Sequence, residues 1–167
     1  PVVFASTNKV YTNITNDYVT EELSTRYKWT YNKFLNESIP LDAFDKYART
    51  MYGTSKVSAD LYCQEYYQSF GLPTVVNRMS CIYGLYQKGA EDQAWISWFI
   101  RQIKGDGKVN IFGTGKQVRD VLYGSDVARL YIDEIEQIDK VKGKAYNIGG
   151  GINNTLSLFE AITIIEE

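Results

Sequence analysis

Tyr52 and Lys56 stand four residues apart in Met51-Tyr52-Gly53-Thr54-Ser55-Lys56. On a helix that spacing puts a phenol and an ammonium on one face, one turn apart. A phenol with an unperturbed pKa near ~10 is a poor base at neutral pH, but a cation held a few ångströms away favours the phenolate. Tyr52 is therefore the candidate proton carrier and Lys56 the group that tunes it. With 14 Tyr in the chain, one Tyr-x-x-x-Lys arises readily without function, so its surroundings must decide. A second candidate is Thr7, which follows the apolar run Val2-Val3-Phe4-Ala5 and precedes Asn8. In open α/β sheets ligands bind beyond the carboxyl ends of the strands. A hydroxyl at a strand end and a phenol at the start of the next helix can then face one pocket, the first holding a substrate oxygen while the second moves its proton. A turn or cap role for Thr7 is equally open at this point.

The elements that must position these groups read as an alternation of strands and helices. Val2 to Ala5 predicts a buried strand, and because it opens at the second residue it predicts that an N-terminal part is absent. Tyr11 to Phe44 is polar and aperiodic and reads as a long loop with one helical turn. A helix is predicted from near Asp45 to Phe70, with Ala59, Cys63 or Tyr62, Tyr66 and Phe70 as its apolar stripe and Gly71 and Pro73 as its stop. Thr74 to Met79 predicts the next buried strand, so that strand, excursion with helix, and strand form a parallel crossover. After a loop from Ser80 to Gly89, the pattern predicts a helix over 92–104, short strands over 109–112 and 118–123, a helix over 127–137, a strand over 145–149 and a last helix over 156–165.

Composition narrows the function classes. A net charge of −2 with scattered Lys and Arg gives no basic stripe for nucleic acid. No apolar run reaches the length of a membrane span, and no basic flank or cleavage site marks a signal peptide, so the expected location is cytoplasmic. The chain has no His and only two Cys, Cys63 and Cys81, which removes His-based triads and predicts no metal site.

Five ordered segments carry a resemblance. Ala5-Ser6-Thr7-Asn8-Lys9-Val10-Tyr11, Tyr52-Gly53-Thr54-Ser55-Lys56, Arg78-Met79-Ser80-Cys81-Ile82-Tyr83-Gly84, Gly115-Lys116-Gln117-Val118-Arg119-Asp120-Val121 and Asn147-Ile148-Gly149-Gly150 match in order and spacing, across nearly the whole chain. Together they resemble the extended short-chain dehydrogenase/reductase family, the NAD-dependent nucleotide-sugar epimerases and dehydratases. Ser6 to Tyr11, the helix start Asp92-Gln93-Ala94-Trp95 and Lys116 to Leu122 look most like the CDP-sugar 2-epimerases within it.

The resemblance implies an α/β fold: a partial Rossmann-like parallel sheet, the C-terminal half of that fold, with a small substrate-binding α/β portion. Residues 1–79 would carry the catalytic part of the NAD-binding domain. Residues 80–167 would be mainly the substrate-binding portion, with a strand and helix returning to the sheet. It implies NAD as cofactor, a nucleotide sugar as substrate and a homo-oligomer when full length. Thr7, Tyr52 and Lys56 would be catalytic, Tyr52 and Lys56 would also meet the cofactor, and Asn8, Cys81, Gln93 and Arg119 would meet the substrate. Arg119 would bind the pyrophosphate, whose oxygens suit the guanidinium fork. In the family's dehydratases Asp-Glu follows the active Thr, whereas Asn8 and Lys9 stand here, which favours epimerisation over elimination of water. Thr12 replaces a usual Gly, and Cys81 replaces an Asn amide with a weaker donor. The Gly-rich turn that grips the NAD pyrophosphate would lie upstream of Pro1, so the fragment alone is expected to be inactive. A UDP- or dTDP-sugar 4-epimerase and a non-catalytic nucleotide-sugar-binding relic remain open alternatives.

Overall fold

The β-branched and aromatic residues after Pro1 take extended backbone, and in the computed structural model, which describes residues 1–12, 20–30, 37, 41 and 48–167, they form the first strand. In chain order the elements are β1 (Val2–Thr7), a 3-10 turn (Asn8–Val10), β2 (Thr20–Glu22), β3 (Tyr27–Trp29), α1 (Met51–Phe70), β4 (Thr74–Met79), β5 (Cys81–Tyr83), α2 (Trp95–Lys104), β6 (Val118–Tyr123), α3 (Gly124–Glu136), α4 (Ile138–Val141), β7 (Lys144–Ile148), β8 (Thr155–Ser157) and α5 (Leu158–Glu166). Two units share them. Pro1–Tyr18, Asn32–Ser80 and Val127–Ile148 make the first, and Val19–Tyr31, Cys81–Asp126 and Gly149–Glu167 the second.

In the first unit β4 is the central strand of a parallel sheet ordered β1-β4-β7. Thr7 lies opposite Met79, and Met79 opposite Ile148. Parallel neighbours need crossovers, and α1 supplies the one between β1 and β4. The core sits on β4, where Thr74, Val75, Val76, Asn77 and Arg78 are all buried, together with Val57 from α1 and Val10 from the 3-10 turn. Thr50 caps α1 by accepting a hydrogen bond from the Gly53 N–H at 3.0 Å. Gly71 ends the helix in the left-handed region, φ 67°, a conformation that favours glycine.

In the second unit β6 pairs in parallel with β5 and antiparallel with β8, while β2 and β3 form a two-stranded antiparallel hairpin. Helices α2 and α5 pack on each other. The start of α5 is fixed by a capping box in which the Ser157 side chain accepts from the Glu160 N–H and the Glu160 side chain accepts from the Ser157 N–H. The hairpin is tied down by Arg26, which donates to Thr155 Oγ1 at 2.7 Å and pairs with Glu160 at 3.4 Å, and by Lys116 Nζ on Glu22 at 2.8 Å.

The chain is thus α/β with a parallel sheet, as its sequence predicts, and several elements correct the expectation. Helix α1 begins at Met51 rather than near Asp45; residues 48–50 are not helical, and 45–47 lie outside the described residues. Its buried face carries Gly53, Val57 and Asp60, whereas Tyr66 and Phe70 of the predicted stripe are 50 % and 76 % exposed. The segment 109–112 is not a strand; it is irregular, and Phe112 is exposed. The predicted loops contain β2, β3 and β5, and the helical turn expected in the first of them was not found among its described residues. Among the described residues no helix is long and apolar enough to cross a membrane.

One acid in the first unit titrates against the fold. Glu134 of α3 is buried and accepts from Asn77 Nδ2 of β4 at 2.7 Å. Burial pushes its carboxyl above the ordinary range, the Asn77 bond offsetting part of this. A group raised on folding contributes its stability below its unfolded pKa and loses it as pH rises through the folded value. Glu134→Gln should therefore be more stable than the parent at neutral pH, by on the order of 2–4 °C in Tm, with the difference vanishing at acid pH. Thermal melts at several pH values check this.

Candidate active site

Thr7 closes β1, and its side chain is 8 % exposed. Its Oγ1 accepts from the Lys9 N–H at 3.3 Å, which caps the 3-10 turn Asn8–Val10. The cap uses an oxygen lone pair and leaves the hydroxyl proton available. Asn8 is exposed at the start of that turn, and no carboxylate occupies it. Tyr52, in the first turn of α1, is 55 % exposed, and its hydroxyl makes no hydrogen bond among the described residues. Lys56, one turn on, donates from Nζ to the Ala5 carbonyl at 3.0 Å, and its ammonium lies 5.2 Å from the Phe4 ring centroid. The ammonium is thus held by β1 and not by the phenol. Gly53 brings α1 against the turn: a Cβ there would lie 2.3 Å from the Lys9 carbonyl oxygen. The structure therefore gathers Thr7, Asn8, Tyr52 and Lys56 at the carboxyl end of β1 and the amino end of α1.

Beneath them lies a polar network to which the sequence patterns gave no role. Asp60 is fully buried and Arg78 is 4 % exposed. The guanidinium grips the carboxylate with both arms, Nε to Oδ2 at 2.9 Å and Nη2 to Oδ1 at 3.1 Å, a two-point geometry that strengthens the pair. Asp60 also accepts from Ser6 Oγ at 3.1 Å and from Gln64 Nε2 at 2.6 Å. The third arm of Arg78 donates to the Tyr11 hydroxyl at 3.0 Å, and Tyr11 donates to Asn147 Oδ1 at 2.7 Å. Burial alone would lower the Arg78 pKa, but the bonds to Asp60 and Tyr11 outweigh it and the guanidinium is held charged. One member of this network carried a signal in the sequence: Arg78 is a charge in Val75-Val76-Asn77-Arg78-Met79, a run that predicts a buried strand. Asp60 carried none, because the face of α1 that buries it shows only once the helix is docked.

In the second unit Cys81 and Gln93 line one open cleft of about 440 Å³ together with Ile82, Gln87, Lys88 and Trp95. Cys81 opens β5 as a free thiol. Gln93 precedes α2 and exchanges two backbone hydrogen bonds with Ala90. Arg119 does not line this cleft. It stands on β6, two residues before Val121, the partner of Cys81, and is exposed. Its Nη1 donates to the Val118 carbonyl at 3.0 Å, and it forms no ion pair with its neighbour Asp120. That carboxylate accepts instead from the Gly150 N–H at 2.6 Å. Burial raises its pKa, partly offset by the bonds from Gly150 and Gly151. Arg119 therefore presents an exposed guanidinium with donors to spare, the form an anion site needs. Among the described residues no cluster could hold a metal ion.

Known proteins resemble this chain in sequence and fold. The family model described as NAD dependent epimerase/dehydratase family matches residues 1–149. The chain is 40 % identical to CDP-paratose 2-epimerase of Salmonella typhi over 172 aligned positions, covering 99 % of this chain and 49 % of that protein. Among solved structures it resembles Pal from Bacillus thuringiensis, with TM-score 0.73 and 27 % identity over 98 % of this chain and 45 % of the other. It likewise resembles a dTDP-glucose 4,6-dehydratase from Bacillus anthracis in complex with NAD, with TM-score 0.68 and 29 % identity over 98 % of this chain and 44 % of the other. The chain spans about half the length of these relatives.

Proposed function

This chain belongs to the NAD-dependent epimerase/dehydratase family, and from that premise we propose that the protein carrying it is a nucleotide-sugar epimerase that inverts C2 of a CDP-linked sugar. The observation that carries the substrate assignment is the 40 % identity to CDP-paratose 2-epimerase along 99 % of the chain. Epimerisation rather than dehydration is supported by the turn after Thr7, where Asn8 and Lys9 offer no carboxylate to remove and return the elements of water.

The residues present fit a nicotinamide nucleotide at its reactive end. Lys56 spends one of its three donors on Ala5, and the others suit ribose hydroxyls. The chain contains no Gly-x-Gly-x-x-Gly, so the pyrophosphate of such a cofactor falls to other parts of the protein. NAD, when bound, supplies the hydride acceptor and donor. The proton chemistry belongs to this chain. Thr7 holds the reacting sugar oxygen through its free hydroxyl proton. Tyr52 takes the proton from that oxygen as the carbon becomes a ketone, and gives it back when the planar ketone is reduced from its opposite face, so no net oxidation results. Lys56 orients the ribose and places its charge near the phenol. Thr7, Tyr52 and Lys56 would supply the catalytic and cofactor groups, and Cys81, Gln93 and Arg119 would meet the nucleotide sugar.

The test is to incubate the intact protein and NAD with CDP-, UDP- and dTDP-hexoses and to follow inversion by NMR. Turnover confined to CDP-sugars at C2 upholds the assignment; turnover of UDP- or dTDP-sugars at C4 replaces it with a 4-epimerase, and no turnover of any removes it. For Arg119, Arg119→Ala should raise KM for the nucleotide sugar about 10- to 100-fold, the loss of charge-assisted hydrogen bonds, with kcat nearly unchanged. Steady-state kinetics read both constants.

A further inference from the structure

Three residues of the ordered motifs, Tyr11, Arg78 and Asn147, have no part in the proton transfer, yet the fold brings them into one hydrogen-bonded chain with Ser6 and Asp60. We propose that this chain is a positioning frame for Thr7, with Arg78 as its clamp and Tyr11 as the arm that holds the turn after β1 in register with α1.

Ser6 immediately precedes Thr7 and is bonded to Asp60 of α1. Tyr11 follows the 3-10 turn that Thr7 caps and is bonded to Arg78 of β4. Asp60 and Arg78 are bonded to each other. The segment from Ser6 to Tyr11 is therefore pinned at both ends to one ion pair, and Thr7 lies within that segment, its oxygen accepting from the Lys9 N–H. The same helix that provides Asp60 carries Lys56 one turn earlier and Tyr52 a further turn back, and Lys56 is itself bonded to Ala5. Strand β1 and helix α1 are thus tied at two successive β1 residues, Ala5 and Ser6, just before Thr7. A buried ion pair is a weak source of stability, because apolar groups of similar volume often serve as well or better. What such a pair does supply is direction: a guanidinium fork accepts few geometries. A hydroxyl that must meet a sugar oxygen within a few tenths of an ångström needs that direction.

The inference rests on the proposed reaction, and the experiment separates the two. The intact protein with NAD and its Tyr11→Phe and Arg78→Lys variants are compared by steady-state kinetics, by the pH profile of kcat, by thermal melting and by amide hydrogen exchange at residues 6–11. Tyr11→Phe keeps the ring and its packing and removes only the bridge. It should lower kcat about tenfold with KM within about twofold, shift the acid limb of the pH profile, and speed exchange at residues 8–11 while Tm stays close to the parent. Arg78→Lys keeps the charge without the fork and should give the same pattern more strongly. Wild-type turnover of nucleotide sugars tests the reaction itself. The exchange comparison needs no turnover and decides the frame even where the wild type is inactive. Unchanged exchange at residues 8–11 in Tyr11→Phe overturns the frame, as does unchanged kcat and pH profile with only a lower Tm, which is the mark of a merely structural network.

Discussion

Tyr52→Phe in the intact protein is expected to lower kcat for nucleotide-sugar inversion by about a thousandfold, the middle of the range for removal of a general acid–base group, with KM and Tm close to the parent. The side chain is more than half exposed and its hydroxyl makes no bond within the described structure, so the substitution removes an oxygen that supports no neighbour. Its loss should therefore register in chemistry alone. A fall of less than about tenfold would remove Tyr52 from the proton-transfer role and move attention to Thr7, whose hydroxyl occupies the other side of the proposed contact. Single-turnover measurement of hydride transfer, read at the nicotinamide absorbance, distinguishes a slow chemical step from slow product release.

Asp60→Ala should be the most destabilising single change in the first unit, costing about 3–5 kcal/mol, because it leaves the Arg78 guanidinium buried and unpaired. Asp60 has no exposed surface and receives hydrogen bonds from three residues, Ser6, Gln64 and Arg78. The companion measurement is the double variant Asp60→Leu with Arg78→Met. Apolar groups of comparable size fill the space without a stranded charge, so most of the stability should return. Denaturant unfolding of the parent, the single and the double variants reads the difference. If the single variant lost less than about 1 kcal/mol, the pair would not be desolvated as its burial indicates. Recovered stability in the double variant need not restore rate, since the frame around Thr7 would still be missing.

The strands of the first sheet were legible because their apolar runs have no competing pattern. Val75 and Val76 are buried on the central strand as such a run predicts, whereas β1, predicted buried, leaves Val2 40 % exposed and Val3 and Phe4 only partly covered. The inner face of α1 was not. Its periodicity runs through Gly53, Val57 and Asp60, and a hydrophobic count passes over a glycine chosen for close approach and an aspartate neutralised by an arginine on another strand. The aromatic stripe through Tyr66 and Phe70 was the stronger signal in sequence and faces outward. Strands β2 and β3 failed for a related reason. Thr20-Glu21-Glu22 has no buried side, and what holds it is long-range, the Tyr27 N–H on the Lys116 carbonyl and Arg26 on Glu160. Val109-Asn110-Ile111-Phe112 erred in the opposite direction, an apolar run that pairs with no strand among the described residues. At the candidate site the local motif around Tyr52 and the strand end at Thr7 were legible, since both depend on neighbours in sequence. That Thr7 also caps a turn, and that Lys56 rests on Ala5, depend on how α1 docks and could not be read from spacing.

The bond between Arg78 and Tyr11 also has a polarity. A guanidinium has only hydrogens to offer, so at Arg78 the Tyr11 oxygen must be the receiver. The phenol then has one hydrogen left, and Asn147 Oδ1 is where it goes. That in turn fixes which end of the Asn147 amide faces inward, with its NH₂ turned away from Tyr11. The wiring from Asp60 through Arg78 and Tyr11 to Asn147 therefore has one sense, and an Asn147 amide turned by half a turn would set its NH₂ against the Tyr11 hydroxyl and take away the acceptor of the phenol hydrogen. In the intact protein the Tyr11 hydroxyl hydrogen should be visible as a slowly exchanging resonance with a cross-peak to the Asn147 side chain, and it should disappear in Arg78→Lys.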